Sequence, residues 1–208
     1  MERNEQKRVM REKIMQSAIR QFEKEGYEAA SMNDICKSGN ISKGIIYHYF
    51  KDKDDLYLAC VKACYDALLD YYAQHRIHKD CYFDIKSFME IRVHFFKEHE
   101  IYRKLFFHSF LSTPDHLKKQ VAELQKPLDE LNISIYKAYL QRVELREHMD
   151  MEKAVMYLEL IQNAYHDYFR KESEECEDYD ELIASYERQI PDFIDMMLYG
   201  IARKENTL

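Results

Sequence analysis

Four glycines and three prolines in 208 residues leave this chain very little turn chemistry. Tight-turned all-β folds and glycine-rich phosphate cradles need far more. Neither G-x-G-x-x-G nor G-K-S/T occurs, which sets aside the common nucleotide-dependent enzymes. Apolar residues make up 46% and charged residues 33%, so a buried core is possible and a fully disordered chain is not. The expected fold class is all-α.

Charge divides the chain. The formal net charge is −7, but residues 1–53 carry 11 Lys/Arg against 8 Asp/Glu, whereas residues 54–208 carry 20 against 30. A mildly basic head and an acidic body follow, and the head is where nucleic acid would sit. The first ten residues are charged and lack a signal peptide's apolar run. No uncharged apolar stretch reaches membrane-spanning length. Five cysteines without a C-x-x-C fit free thiols in a reducing compartment, so the expected location is the cytoplasm, with no membrane partner.

Apolar periodicity predicts a helix over Gln6–Glu25, with Gly26 as a left-handed stop. Ser31-Met32-Asn33-Asp34 reads as a capping box opening a short helix, Met32 to Ser38. Gly39-Asn40 breaks it, both residue types tolerating the positive φ of a tight turn. Ser42 caps Lys43–Tyr49, and Asp52 caps a long helix from Lys53 towards Gln74. Further helices are expected near Asp84–Glu98, Tyr102–Leu111, Pro114–Gln125, Leu128–Arg146, Met151–Lys171 and Tyr179–Ala202. Thr113-Pro114 is read as N-cap and first turn. Pro127 should divide two helices, and Pro191 should kink the last one or start its second half. Seven acids between Glu172 and Glu181 are read as a solvated loop.

Three helices in the first quarter, the second and third joined by the turn Gly39-Asn40-Ile41-Ser42, outline a helix-turn-helix. The third helix is too short to stand alone; Ile45, Ile46 and Phe50 should pin it. Its other face offers Lys43, Gly44, Tyr47 and His48. A glycine lets the helix start approach a phosphate closely, and the amides of residues 42–45 can hold that phosphate. Tyr47 and His48 can reach phosphates or base edges.

The run from Ser31 to Cys36, continued by Ser42-Lys43-Gly44-Ile45-Ile46-Tyr47-His48-Tyr49-Phe50-Lys51-Asp52-Lys53-Asp54-Asp55-Leu56, resembles the TetR family of bacterial transcriptional repressors. Cys36 stands where alanine is usual and Asn40 where the turn glycine is usual. The resemblance implies an N-terminal three-helix bundle with a helix-turn-helix (residues 1–55). It also implies a C-terminal helical bundle for ligand binding and dimerisation (residues 56–208). It implies a homodimer on palindromic double-stranded operator DNA, released by a small-molecule effector, with no cofactor and no catalysis. By motif position the DNA contacts are Ser31, Ser42, Lys43, Gly44, Tyr47, His48, Tyr49 and Lys53. Charge alone adds Arg3, Lys7, Arg8 and Arg11.

The body holds 23 of the 28 tyrosines and phenylalanines. Tyr65, Phe88, Phe95, Phe106, Phe110, Tyr136, Tyr139 and Tyr165 fall on apolar faces and are the candidate lining of a hydrophobic or amphipathic effector pocket. Ring faces would suit a flat cationic ligand, and Lys or Arg at the rim an anionic one. Dimerisation is expected through the last two long helices. Their stripes are Val155, Leu158, Ile161, Tyr165, Tyr168 and Phe169, then Phe193, Ile194, Met197, Leu198 and Ile201.

Two other classes compete with this reading. His75-x-x-His78-x-x-Cys81 offers three metal-ligand types, and Cys60 and Cys64 stand one helical turn apart, so a metal- or thiol-responsive regulator is an alternative, as is a ligand-independent one. A helical enzyme lacks its signatures: no histidine follows a glutamate by three residues, and His99-Glu100 does not complete H-E-x-x-H.

Overall fold

A computed structural model describes residues 2–75, 77 and 85–201. Among them every long element is helical. The order is α1 (Glu2–Ala29), α2 (Met32–Gly39), α3 (Lys43–Tyr49), α4 (Lys53–Gln74), α5 (Ile85–Glu98), α6 (Glu100–Leu111), a 3-10 turn (Asp115–Leu117), α7 (Lys118–Leu140), α8 (Met151–Glu175) and α9 (Tyr179–Ile201). No described helix is long and apolar enough to cross a membrane.

The chain forms two compact units. One comprises residues up to Ala67 with Glu98–Gln125; the other comprises Leu68–Lys97 with the chain from Lys126 onward. In the first unit α6 packs on α1, α1 on α2, and α2 on α3. Its core is built from Ile14, Ala18, Phe22, Ile35, Ile46 and Leu56, all fully enclosed. Each large apolar side chain so enclosed contributes roughly 1.5–3 kcal/mol. In the second unit α8 packs on α9, around Phe88, Phe95, Ile135, Leu158 and Ile183. In the first unit α6 thus covers α1, bringing Glu98–Gln125 together with the N-terminal helices.

Local chemistry sets the helix starts. Ser31 is extended and its Oγ accepts from the Asp34 amide at 3.2 Å, while donating to the Asp34 carboxylate at 2.5 Å. Ser42 accepts from the Ile45 amide and Asp52 from the Asp55 amide at 2.9 Å. Asp150 opens α8 by accepting from the Lys153 amide at 2.8 Å, and Asp178 opens α9 through the Asp180 and Glu181 amides.

Several expectations are corrected. Helix α1 starts at Glu2 rather than Gln6; Gly26 does take the left-handed φ of 69° expected of it and interrupts the helix, which continues beyond it to Ala29. Pro127 does not divide two helices; α7 runs through it. The proline ring is exposed there, so the missing N–H leaves a carbonyl that water can satisfy. Thr113 is not an N-cap: its hydroxyl donates back to the Ser109 carbonyl, ending α6, and Pro114 precedes a 3-10 turn. Leu128–Arg146 stops at Leu140. The acidic stretch is mostly helix, with only Cys176–Asp178 between α8 and α9, since exposed glutamates are good helix formers. Finally, Asn40 alone takes the left-handed conformation (φ 48°), and Gly39 does not. Gly39 is required by space instead: a Cβ there would stand 2.7 Å from Ile41 Cδ1 and 2.9 Å from Ser17 Oγ.

Candidate DNA-binding surface

The seat of α3 is built from α1 and α2. Ser17 on α1 donates to the Ile35 carbonyl at 2.9 Å and lies 2.8 Å from Ser38 Oγ, tying α2 down. The Asn40 amide bonds back to Lys37 and the Ile41 amide to Cys36. Ile41 turns inward at 6% exposure, so the chain emerges from the turn with Ser42 in cap geometry. Helix α3 is then pinned by Ile46 and Phe50, whereas Ile45 points outward at 38% exposure. That corrects its assignment to the pinning set: a seven-residue helix has only one narrow buried stripe, and Ile46 occupies it.

Lys43, Gly44, Tyr47 and His48 are exposed together. Tyr47 is 52% exposed, so its ring is not part of the packing of the unit. A Cβ at Gly44 would meet nothing within 4 Å; the surface there is open to a macromolecular partner. The His48 and Tyr49 rings meet edge to face at 5.3 Å, and Tyr49 is half-buried. Beside α3 lies an open depression of about 640 Å³ lined by Asn33, Cys36, Lys37, Asn40, Ile41, Ser42 and Lys43, with two ammonium groups and three short polar side chains. It is suited to a phosphate-bearing edge.

Other sequence-assigned groups are placed differently. Ser31 is occupied by its capping box, and that bond holds the Asp34 carboxyl below the usual carboxylate range. Lys53 Nζ donates to the Tyr27 carbonyl at 2.9 Å and the Ala30 carbonyl at 3.2 Å, and lies 4.0 Å from the Tyr27 ring centroid. It closes the end of α1 instead of projecting freely. In the arm, Arg8 pairs with Glu5 and Glu12, Arg11 lies 5.0 Å from the Phe50 ring centroid, and Lys7 is exposed. The side chain of Arg3 lies outside the described residues, as do His78 and Cys81 of the metal-ligand run.

A polar hub in the same unit was not legible in the sequence. The Tyr27 hydroxyl donates to Asp54 Oδ1, and His116 Nε2 lies 3.2 Å from Asp54 Oδ2. The Tyr27 phenol, followed by His116 and Lys53, holds the Asp54 carboxyl below its ordinary range. The hub joins the end of α1, the start of α4 and the turn after α6. Its members are 27 and 62 residues apart, so no local pattern could announce it.

The eight aromatic candidates separate by unit. Tyr65, Phe106 and Phe110 are in the first; the Tyr65 hydroxyl bonds Ser109 Oγ at 2.7 Å. Phe88, Phe95, Tyr136, Tyr139 and Tyr165 are in the second. Phe88 and Phe95 are fully enclosed, the Tyr136 hydroxyl donates to Gln162 and that of Tyr165 to the Tyr186 carbonyl. Burial pushes the Cys60 and Cys64 thiols up, which leaves them protonated.

Fold and surface together define a helix-turn-helix protein. Residues 14–60 match the family model of bacterial regulatory proteins, tetR family. The chain is 28% identical over 127 residues to IcaR of Staphylococcus epidermidis, the HTH-type negative transcriptional regulator of the biofilm operon icaADBC, covering 61% of this chain and 65% of that protein. It is 41% identical over 59 residues to IcaR of Staphylococcus aureus, covering 28% and 32%. The matches thus span less than two thirds of these relatives. SmeT, the repressor of a Stenotrophomonas maltophilia multidrug efflux pump, shares the fold at a TM-score of 0.61 with 18% identity over 95% of this chain and 93% of SmeT. The SmeT–triclosan complex aligns at 0.63, also with 18% identity, over 96% of this chain and 95% of that one. The likeness to the tetR family of bacterial regulatory proteins thus rests on residues 14–60, with the helical fold shared over nearly the whole chain.

Proposed function

We propose that this protein is a DNA-binding transcriptional repressor acting as a cytoplasmic homodimer. Residues 1–55 serve as the DNA-reading head and residues 56–208 as the effector-binding and dimerisation body. The observation that carries the reading is the exposed set Lys43, Gly44, Tyr47 and His48 on a helix seated by buried Ile41, Ile46 and Phe50. Lys43 and the first-turn amides meet phosphate, while Tyr47 and His48 face the major groove. The negative regulation named for IcaR and the triclosan-bound SmeT support repression and effector release respectively. Release is a population shift: the effector favours a head spacing that no longer matches successive major grooves, about 34 Å apart.

A second copy has a surface to use. The expected dimer stripes pack largely inward: Val155, Leu158, Phe169, Ile194 and Met197 are buried in their own unit, and the side chain of Ile201 lies outside the described residues. Met156, Tyr157, Leu160 and Tyr168 on α8, with Met196 and Tyr199 on α9, are instead exposed by 41–61%. Four-residue steps keep Met156, Leu160 and Tyr168 on one helical face, which suits a four-helix interface.

The test is binding of purified protein to the DNA upstream of its own gene, against a shuffled duplex and across a salt series. Saturable preference for the native sequence, with log affinity falling about 0.9 per log salt for each phosphate contacted, is expected. Equal binding to both duplexes, and no sequence enriched from a random pool, would refute the reading.

A further inference from the structure

Arg92 on α5 is a cation out of place. Its side chain is half-buried in the second unit, in a part of the sequence where acids outnumber bases 30 to 20. Among the described residues its guanidinium donates to Met89 Sδ and lies 5.9 Å from the Phe88 ring centroid, with no carboxylate at ion-pair distance. Glu187 acts on it only through space. A thioether is a weak acceptor for a group with five N–H donors, and a desolvated charge without a counterion is unfavourable.

The neighbours supply further donors, and the Glu187 carboxylate acts on Arg92 only through space. Tyr72, Tyr186 and Tyr136 all interact electrostatically with Arg92. Tyr72 is 2% exposed, stacks on Phe88 at 4.7 Å, and its hydroxyl makes no hydrogen bond among the described residues. The Tyr136 hydroxyl is engaged with Gln162 at 2.9 Å. His166 is pushed down to about 4 by burial, then by Arg92 and Arg170, and is neutral at physiological pH. The place is thus electropositive, donor-rich and walled by apolar rings.

We propose that Arg92 and Tyr72 bind the carboxylate of an amphipathic organic acid, whose apolar body lies against Met89. This deepens the effector reading of the body and rests on it. A fork of two guanidinium N–H groups matches a carboxylate, and the Tyr72 hydroxyl adds a third donor. The same positive charge disfavours a cationic ligand, despite the surrounding tyrosines.

The experiment is calorimetric titration of the full-length protein with benzoate, 2-naphthoate and decanoate, and with 2-naphthalenemethanol as a neutral counterpart, repeated on R92M and Y72F. At least one carboxylate is expected to bind saturably. R92M should weaken it by at least about tenfold, the worth of one charge-assisted contact, and Y72F by less, with neither change altering the alcohol. Unliganded R92M should melt no lower than wild type, because methionine keeps the apolar stem and removes the unpaired charge. Equal carboxylate affinity in wild type and R92M overturns the proposal. So does failure of all three carboxylates to bind, or an R92M protein that melts lower while binding them unchanged. If a neutral or cationic compound still releases operator DNA, the effector reading stands and only the anion site falls. If carboxylates bind through Arg92 without affecting DNA, the site stands and its regulatory role falls.

Discussion

Gly39→Ala separates two explanations of the same glycine. A turn-based reading makes Gly39 a conformational necessity, yet its φ lies outside the positive range. By helix propensity alone, alanine at the end of α2 would be stabilising by up to about 1 kcal/mol. The geometry says otherwise. The new methyl would stand 2.7 Å from Ile41 Cδ1, 2.9 Å from Ser17 Oγ and 3.0 Å from Ser17 Cβ. Ile41 is buried at 6% exposure and Ser17 at 8%, so neither can swing away freely. Overpacking of this kind costs about 1–3 kcal/mol, and displacing Ser17 from Ile35 and Ser38 sacrifices about 1 kcal/mol more. Net destabilisation of about 1–3 kcal/mol is expected in urea unfolding. A double-mutant cycle identifies the cause: in a Ser17→Ala background the cost of Gly39→Ala should shrink by about 1 kcal/mol, because Ser17 Oγ, one of the two atoms closer than 3.0 Å, has gone. Stabilisation by Gly39→Ala, or a cost independent of residue 17, would refute the steric argument. The change also reads out on function, since Ser17 and Gly39 set how α2, and through it α3, sits on α1.

Three further outcomes are expected. His48→Ala should weaken operator binding with the melting temperature unchanged, whereas Lys53→Ala should destabilise the fold by about 1–2 kcal/mol through the carbonyls it leaves; a silent Lys53→Ala in thermal melts would return that lysine to a free DNA contact. Asp54 has a folded pKa below its unfolded one, so its contribution is present above the ordinary carboxylate range and is lost as pH falls through the depressed value; acid unfolding of Asp54→Asn or Tyr27→Phe should therefore fall off less steeply than wild type, and parallel curves would contradict the hub. Cys60 and Cys64, fully enclosed, should resist a thiol reagent until the protein unfolds, and rapid labelling of either in the native state would reopen a thiol-responsive mechanism.

Which parts were legible follows from the range of the interactions. The starts of α2, α3 and α4 were readable because a cap is made between residues three apart, as in Ser31–Asp34, Ser42–Ile45 and Asp52–Asp55. Asn40 was readable because its conformation is a local property. The outward face of α3 was readable because helical period assigns Lys43, Tyr47 and His48 to one side. Pro127 misled: a proline's local penalty predicts a break, but where its ring faces water the helix continues. Thr113 misled for a similar reason, its hydroxyl having a backbone acceptor behind it as well as amides ahead.

The sequence by itself therefore determined the helical class, the helix-turn-helix and the residues that face away from it, all being consequences of contacts within a few positions. Tertiary structure decided what periodicity leaves degenerate. On α8 and α9 two apolar stripes lie one residue apart, and only packing selects Val155 and Leu158 for the core while leaving Met156 and Leu160 outside. It turned Lys53 from a surface charge into the cap of α1, and joined Tyr27, Asp54 and His116. It also half-buried Arg92 near tyrosines, with no carboxylate at ion-pair distance among the described residues. Burial, charge pairing and reach across long sequence separations are properties of the packed chain, and a linear pattern holds no record of them.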